Sequence, residues 1–249
     1  MIASLAMYQR PQLVEAHSRL WGLIRKNLHD AGLDAPAQLS QDTDENIVWE
    51  HPELVLSQTC GMPYRTWLHE NVELVGTPDY GLMDCPPGFY RSALVVRHDD
   101  PRHELPEFRS STFAYNQSFS QSGYAAPFWH LEPHGFWFEN RLHTEQHLES
   151  ARAVAQGQAD IASLDAVSWR LMSKYEPFAA NLRVLEWTAP TPGLPLITAK
   201  GNDPVVIFTA VERAFAQLQD EDKDLLGILG LVSIPKEDYL ALQNPTPGS

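Results

Sequence analysis

Residues 113 to 127 read FAYNQSFSQSGYAAP, a stretch in which an apolar strand, Phe113 to Tyr115, gives way to small hydroxyl residues and then to Gly123, just before a helix can start. A turn of that composition aims backbone N–H groups and serine hydroxyls at one spot, at the positive end of a helix dipole. That is anion-binding geometry on an α/β scaffold. The same residues also read as plain N-capping by Ser120 or Ser122, which a helix start needs in any case.

The flanks carry the same alternation. Upstream, Leu13, Val14, Leu20, Trp21, Ile24 and Leu28 recur at helical spacing, and Leu54 to Leu56 and Val72 to Val75 are short apolar strands. Downstream, Tyr90 to Arg97 is a strong strand, Leu148 to Ala155 and Val167 to Met172 have helical spacing, and Ile161 to Leu164 is a strand between them. Short strands separated by helices predict an α/β fold built of parallel βαβ units. Two proline-rich stretches interrupt the series: GTPDYGLMDCPPG (76–88), read as a connector outside any regular element, and TAPTPGLP (188–195). Both read as passages between lobes. They place residues 1–90 and 200–249 in a first lobe and 91–199 in a second lobe inserted into it, with a ligand cleft between the two.

Composition removes several function classes. The formal net charge of −14, from 18 Lys and Arg against 32 Asp and Glu, argues against nucleic acid, because binding a phosphate backbone draws on clustered cations. An anionic membrane surface is disfavoured for the same reason, and no stretch approaches the roughly 20 apolar residues of a spanning helix. If the ligand is itself an anion, local dipoles must hold it. The opening MIASLAMY has no basic cluster and reads as a strand rather than a secretory leader, so the chain as it stands reads as cytoplasmic, and as periplasmic if a leader was removed.

Cys60 and Cys85 are the only cysteines, too few for a disulfide scaffold or a cysteine-only zinc site, and they are a candidate pair. Cys60 beside Gly61 also reads as a candidate nucleophile with His147 as its base. His130 and His134, like His143 and His147, are four apart, but Pro133 breaks the first pair and HTEQH lacks the Glu placement of a zinc-protease helix; no metal and no cofactor are expected.

The run AYNQSFSQSGY (114–124) resembles the motif with which phosphonate- and phosphate-binding proteins of the type II periplasmic-binding fold open their second lobe. His147, followed by Ala151 and AVAQGQADIASLD, resembles that family's next motif, a ligand-facing histidine, an amphipathic helix and a strand ending in an acidic residue, here Asp165. LVLSQTCGMPY, VELVGTPDYG and YRSALVVR look like its first-lobe loops and crossover. Gln117 stands where an aspartate is common and Gln121 where a threonine can occur.

The resemblance implies a non-catalytic clamp for a small anion of the phosphate or phosphonate kind, closing by hinge motion near residues 88–92 and 193–200, with an ABC transporter permease as the implied partner. It implies that Tyr115, Asn116, Ser120, Gln121, Ser122, Gly123, His147 and Asp165 face the ligand from the second lobe, and Tyr8, Ser57, Gln58 and Thr59 from the first. The competing expectation is an enzyme on the same fold with Cys60 or His147 in the chemistry.

Overall fold

A computed structural model describes residues 1–246. Its chain divides into two compact units, the first made of Met1–Met83, Pro87–Phe89 and Pro192–Ala241, the second of Asp84–Pro86, Tyr90–Thr191 and the chain from Leu242. The strands among the described residues are β1 (Ile2–Ser4), β2 (Leu54–Gln58), β3 (Val72–Asp79), β4 (Phe89–Tyr90), β5 (Ser92–Arg97), β6 (Thr112–Tyr115), β7 (Asn140–His143), β8 (Ile161–Asp165), β9 (Leu182–Trp187), β10 (Thr191–Pro192), β11 (Leu196–Ala199) and β12 (Gly230–Val232).

The first unit holds a sheet in the order β1-β2-β11-β3-β12. Strand β1 runs parallel to β2, but β11 lies antiparallel between β2 and β3, and β12 antiparallel on β3. This corrects the expectation of purely parallel units. It also moves a boundary: the chain rejoins the first unit at Pro192 rather than at residue 200, because Leu196–Ala199 fills the gap between β2 and β3. The tail moves too, since the chain from Leu242 groups with the second unit. Strand β3 runs on through Gly76 to Asp79, which the proline and glycine content had read as connector. Thr77, Pro78 and Asp79 pair with Val232, Leu231 and Gly230, while pairing to β11 stops at Gly76, so Pro78 interrupts no ladder on that side. Gly76 is needed there: a Cβ would stand 2.8 Å from the Phe208 ring on the helix Pro204–Gln217.

The second unit holds the order β7-β6-β8-β5-β9. Strand β5 alternates between two cores. Ala93 and Val95 pack with Ala151, Val154 and Met172 on one face, Leu94 and Val96 with Phe108, Phe113 and Phe138 on the other. Covering on both faces is why SALVVR reads as a continuous apolar run. Strands β7, β6 and β8 are mutually parallel, so their carboxyl ends, His143, Tyr115 and Asp165, finish at one edge. Each is followed in the chain by a helical segment. That edge is where the candidate site forms.

Candidate functional site

Three helix starts meet the carboxyl edge of the second unit's sheet. After β6 the chain turns through Asn116–Phe119 to Ser120, whose extended backbone (φ −83°, ψ 129°) and hydroxyl make it an N-cap: Oγ accepts from the Gly123 N–H at 3.0 Å. The Ser120 carbonyl accepts from Tyr124 N at 3.2 Å and from Ala125 N at 3.0 Å, and the second of these, five residues on, makes Gln121–Ala125 a π turn that leads straight into the helix Ala126–Leu131. The wider turn carries the Ser122 carbonyl to Ser163 on β8, whose hydroxyl donates to it at 2.6 Å. Ser120, Gln121 and Ser122 are all buried.

Ser122 Oγ lies 3.0 Å from His147 Nε2. His147 opens the second helical segment, His147–Ala155, which follows β7. Glu145, just before it, holds a left-handed φ of 66°, uncommon for a residue with a side chain, and its carbonyl accepts from Gln117 Nε2 at 3.4 Å. That turn lets the helix begin at His147 directly beside the π turn. The residue keeps some exposed surface, but its Nδ1 is fully buried, so the ring's surroundings and not the whole-residue exposure govern its ionisation. Burial pushes its pKa from 6.5 down to about 4, against a smaller opposing pull from the Ser163 backbone. The imidazole is neutral at pH 7.

Gly123 leaves room that a side chain would take from Asn116 and His147. A Cβ there would stand 1.8 Å from Asn116 Oδ1 and 3.2 Å from His147 Cε1, so the absence of a side chain lets the loop, the turn and the histidine converge. Asn116 Oδ1 is itself buried without a hydrogen-bond partner. Tyr115 contacts the rings of Tyr124 and His143, at 5.1 and 5.3 Å between centroids. His143 Nε2 meets Gln117 Oε1 at 3.2 Å, so the two histidines of HTEQH serve different partners.

The third start belongs to Asp165, which caps the helix Ala166–Tyr175 by accepting from Ser168 N at 2.8 Å and is almost wholly buried. One oxygen of that carboxylate is thus engaged at the cap. The Gly123 N–H, expected in an anion cradle, is likewise spent on Ser120. Ser122 at the second helical position keeps an N–H that no carbonyl within its own turn can reach.

In the first unit Tyr8 and Gln58 come together, and Tyr80 joins them. The Tyr8 and Tyr80 rings meet edge to face at 5.0 Å, and the Gln58 amide donates to Leu194 O at 3.1 Å and approaches Tyr80 Oη at 3.3 Å. These three and the apolar Leu5, Leu20 and Phe215 help to line a pocket inside this unit. Tyr80 was missed, although the turn signal of GTPDYG marked it. Ser57 and Thr59 are not part of this group: both are buried, with hydroxyls directed at the neighbouring carbonyls of Gln58 and Cys60. The expected Cys60–Cys85 disulfide does not form. Neither cysteine is in a disulfide: Cys60 is buried at the start of the turn after β2, and Cys85 is half-buried in the Asp84–Pro86 stretch that groups with the other unit.

A family model described as the periplasmic substrate-binding protein of a phosphonate ABC transporter matches residues 59–239, well over half of the chain. Among solved structures, a Xanthomonas citri protein bound to ATP superposes with a TM-score of 0.69 at 18% identity, covering 97% of this chain and 93% of that one. PhnD1 from Prochlorococcus marinus in complex with methylphosphonate gives 0.70 at 14% identity, covering 96% and 94%. A binding-protein component of a Pseudomonas aeruginosa ABC phosphonate transporter gives 0.69 at 16% identity, covering 96% and 82%. Identities this low speak for the fold. A search of curated protein sequences returned no match.

Proposed function

We propose, because this chain belongs to the phosphonate periplasmic substrate-binding family of ABC transporters, that its ligand is a small oxyanion of the phosphate or phosphonate kind, gripped at the carboxyl edge of the second unit's sheet. Membership makes it a small-molecule-binding protein, with a transporter permease as the implied partner and the periplasm as the family's compartment. No helix among the described residues is long and apolar enough to cross a membrane.

The observation that carries the reading is the part-buried hydrogen bond between Ser122 Oγ and His147 Nε2 at the meeting of two helix starts. A protein of net charge −14 repels anions at long range. Helix N-termini offset that locally, each with about half a positive charge and unpaired N–H groups. The Ser120 and Ser122 hydroxyls, the N–H groups opening the π turn and the His147 ring are the donors; Tyr115 and Asn116 wall the spot; Gln121 and Gly123 shape it; Asp165 acts through the helix it caps. Tyr8 and Gln58, with Tyr80, line a pocket of the first unit, and Ser57 and Thr59 support the β2 turn from within.

Catalysis by His147 has one supporting feature, the same Ser122–His147 pair, which has the look of a nucleophile and its base. A base of that kind needs a group to orient its second nitrogen, and Nδ1 meets no carboxylate, Asp165 being an N-cap. The proposed reading is binding without turnover. Titration calorimetry over phosphate, phosphite, methylphosphonate and sulfate tests it: saturable one-to-one binding of a phosphorus oxyanion with no product is expected, and release of product from the ligand, or no binding by any of them, contradicts it.

A further inference from the structure

The first unit's sheet has a carboxyl edge of its own, and a pocket lies against it. Leu5 directly follows β1, Gln58 ends β2 and Tyr80 directly follows β3, while β11, antiparallel to β2 and β3, starts at the same edge with Leu196. All four line the pocket, together with Ile24 from the helix Val14–Asp30 and Phe215 from the helix Pro204–Gln217. Ligand crevices in α/β sheets lie beyond the carboxyl ends of strands. The space is about 370 Å³ with its open mouth included, and the enclosed part is smaller. An apolar cavity of about 150 Å³ takes a guest the size of benzene.

An oxyanion does not suit this lining. Eight of its twelve residues are apolar and none is Lys, Arg, Asp or Glu, so nothing in the wall offsets the cost of taking a charge out of water. Gln58 is already engaged: its Nε2 donates to Leu194 O at 3.1 Å, and its Oε1 accepts from Tyr80 Oη at 3.4 Å. His17, also in the wall, is not. Its Nδ1 lies 3.1 Å from Leu13 O, and a carbonyl can only accept, so Nδ1 carries the ring proton. Burial holds the ring's pKa below 6.5, which keeps it neutral at pH 7. Nε2 is therefore a bare acceptor in a mostly apolar wall, with no hydrogen-bond partner among the described residues.

We propose that this pocket binds a small uncharged aromatic molecule carrying one O–H or N–H donor, with the donor on His17 Nε2 and the ring among Tyr8, Tyr80 and Phe215. The two tyrosine rings already meet edge to face at 5.0 Å, and aromatic rings favour a further ring packed in the same offset or edge-on manner. The site is independent of the oxyanion grip in the second unit. It shares no residue with that grip and takes an uncharged ligand where the other takes an anion.

The test is an NMR titration of phenol, and of toluene as the ring without a donor, into the full chain at pH 7 with carbon-13 in the isoleucine and leucine methyls and nitrogen-15 in the histidine rings. Both compounds should bind saturably and shift the methyls of Ile24, Leu196 and Ile228, which line the pocket, while those of Ile161 and Leu164 in the second unit stay where they are. Phenol alone should move the Nε2 resonance of His17. His17→Leu should weaken phenol by roughly two- to tenfold, the worth of a neutral hydrogen bond, and change toluene by less than about twofold. No saturable shift with either compound, or shifts spread over both units, overturns the site. Toluene binding without phenol, phenol binding that leaves Nε2 unmoved, or full phenol affinity in the His17→Leu protein overturns the donor contact to His17.

Discussion

The two units use one backbone device with different side chains. In the first, β2 runs into Ser57-Gln58-Thr59-Cys60-Gly61, and a π turn follows at Tyr64–Leu68; in the second, β6 leads to Ser120-Gln121-Ser122-Gly123 and the π turn Gln121–Ala125. Cys60 and Ser120 both hold extended N-cap backbone angles, −75° and 152° against −83° and 129°. Only Ser120 has a side chain that caps. Thr59 points its hydroxyl at a neighbouring carbonyl, whereas Ser122 points at a histidine. A strand-to-helix turn is therefore a scaffold. On the proposed reading, the hydroxyls and the imidazole of the second unit are what suit its turn to an anion.

The largest break in this comparison should come from Gly123→Ala. Its Cβ would overlap Asn116 Oδ1, which must swing aside, and would stand 3.2 Å from His147 Cε1, so overpacking should cost about 1 to 3 kcal/mol and lower the midpoint of thermal unfolding. Gly22→Ala, in the first unit's helix Val14–Asp30, should do the opposite. Its Cβ meets nothing within 4 Å, and alanine in a helix interior is favoured by roughly 1 kcal/mol. Equal effects of the two substitutions would remove the close approach as the reason for Gly123.

Acid should separate the two regions next. The folded His147 pKa, about 4, lies below its ordinary 6.5, so between those values the unfolded chain binds the extra proton and the folded state loses stability as pH falls. Over that window the loss is roughly 2 to 3 kcal/mol. His17 on the first unit's helix is also pushed down by burial. Denaturant melts from pH 7 to 4 should show His147→Gln flattening this slope, and an unchanged slope would place the desolvation elsewhere.

Caps give the smaller effects. Ser120→Ala should cost about 1 kcal/mol through the lost bond to Gly123 N, read as a shift in the urea midpoint. Cys60→Ser, which offers a capping oxygen to a backbone already in the capping conformation, should gain less than about 1 kcal/mol. If serine at 60 is strongly destabilising, the two turns are not equivalent.

Much of this was legible in the sequence where periodicity speaks. The strand at Leu54, the run from Ser92 to Arg97 and the helix through Val154 follow from spacing, because burial on one or both faces writes itself into the pattern. The path of Leu196–Ala199 was not legible. Four buried residues fit any sheet, and the partner that captures them lies more than a hundred residues away in β2 and β3. The extension of β3 through Pro78 was hidden for a similar reason, since a proline is tolerated only where no donor is missed, and that depends on the pairing. At the site, the hydroxyl run and His147 stood out by composition. Asp165 as a cap was readable from the Asp-Ala-Val-Ser spacing, with the serine N–H three residues on, yet the family resemblance drew it toward the ligand. The left-handed Glu145 had no signal, because nothing about glutamate announces a positive φ.

The central claim is that the second unit's turn grips the ligand through Ser122. Calorimetric titration of methylphosphonate into wild-type, Ser122→Ala and Thr59→Ala proteins tests it most directly. Hydrogen bonds to charged groups contribute about 1.5–3 kcal/mol, so Ser122→Ala should weaken binding by roughly 10- to 150-fold while lowering stability by only about 1 kcal/mol through the lost bond to His147, and Thr59→Ala should leave affinity within about threefold. Wild-type affinity in the Ser122→Ala protein, or a greater loss from Thr59→Ala, would contradict the account.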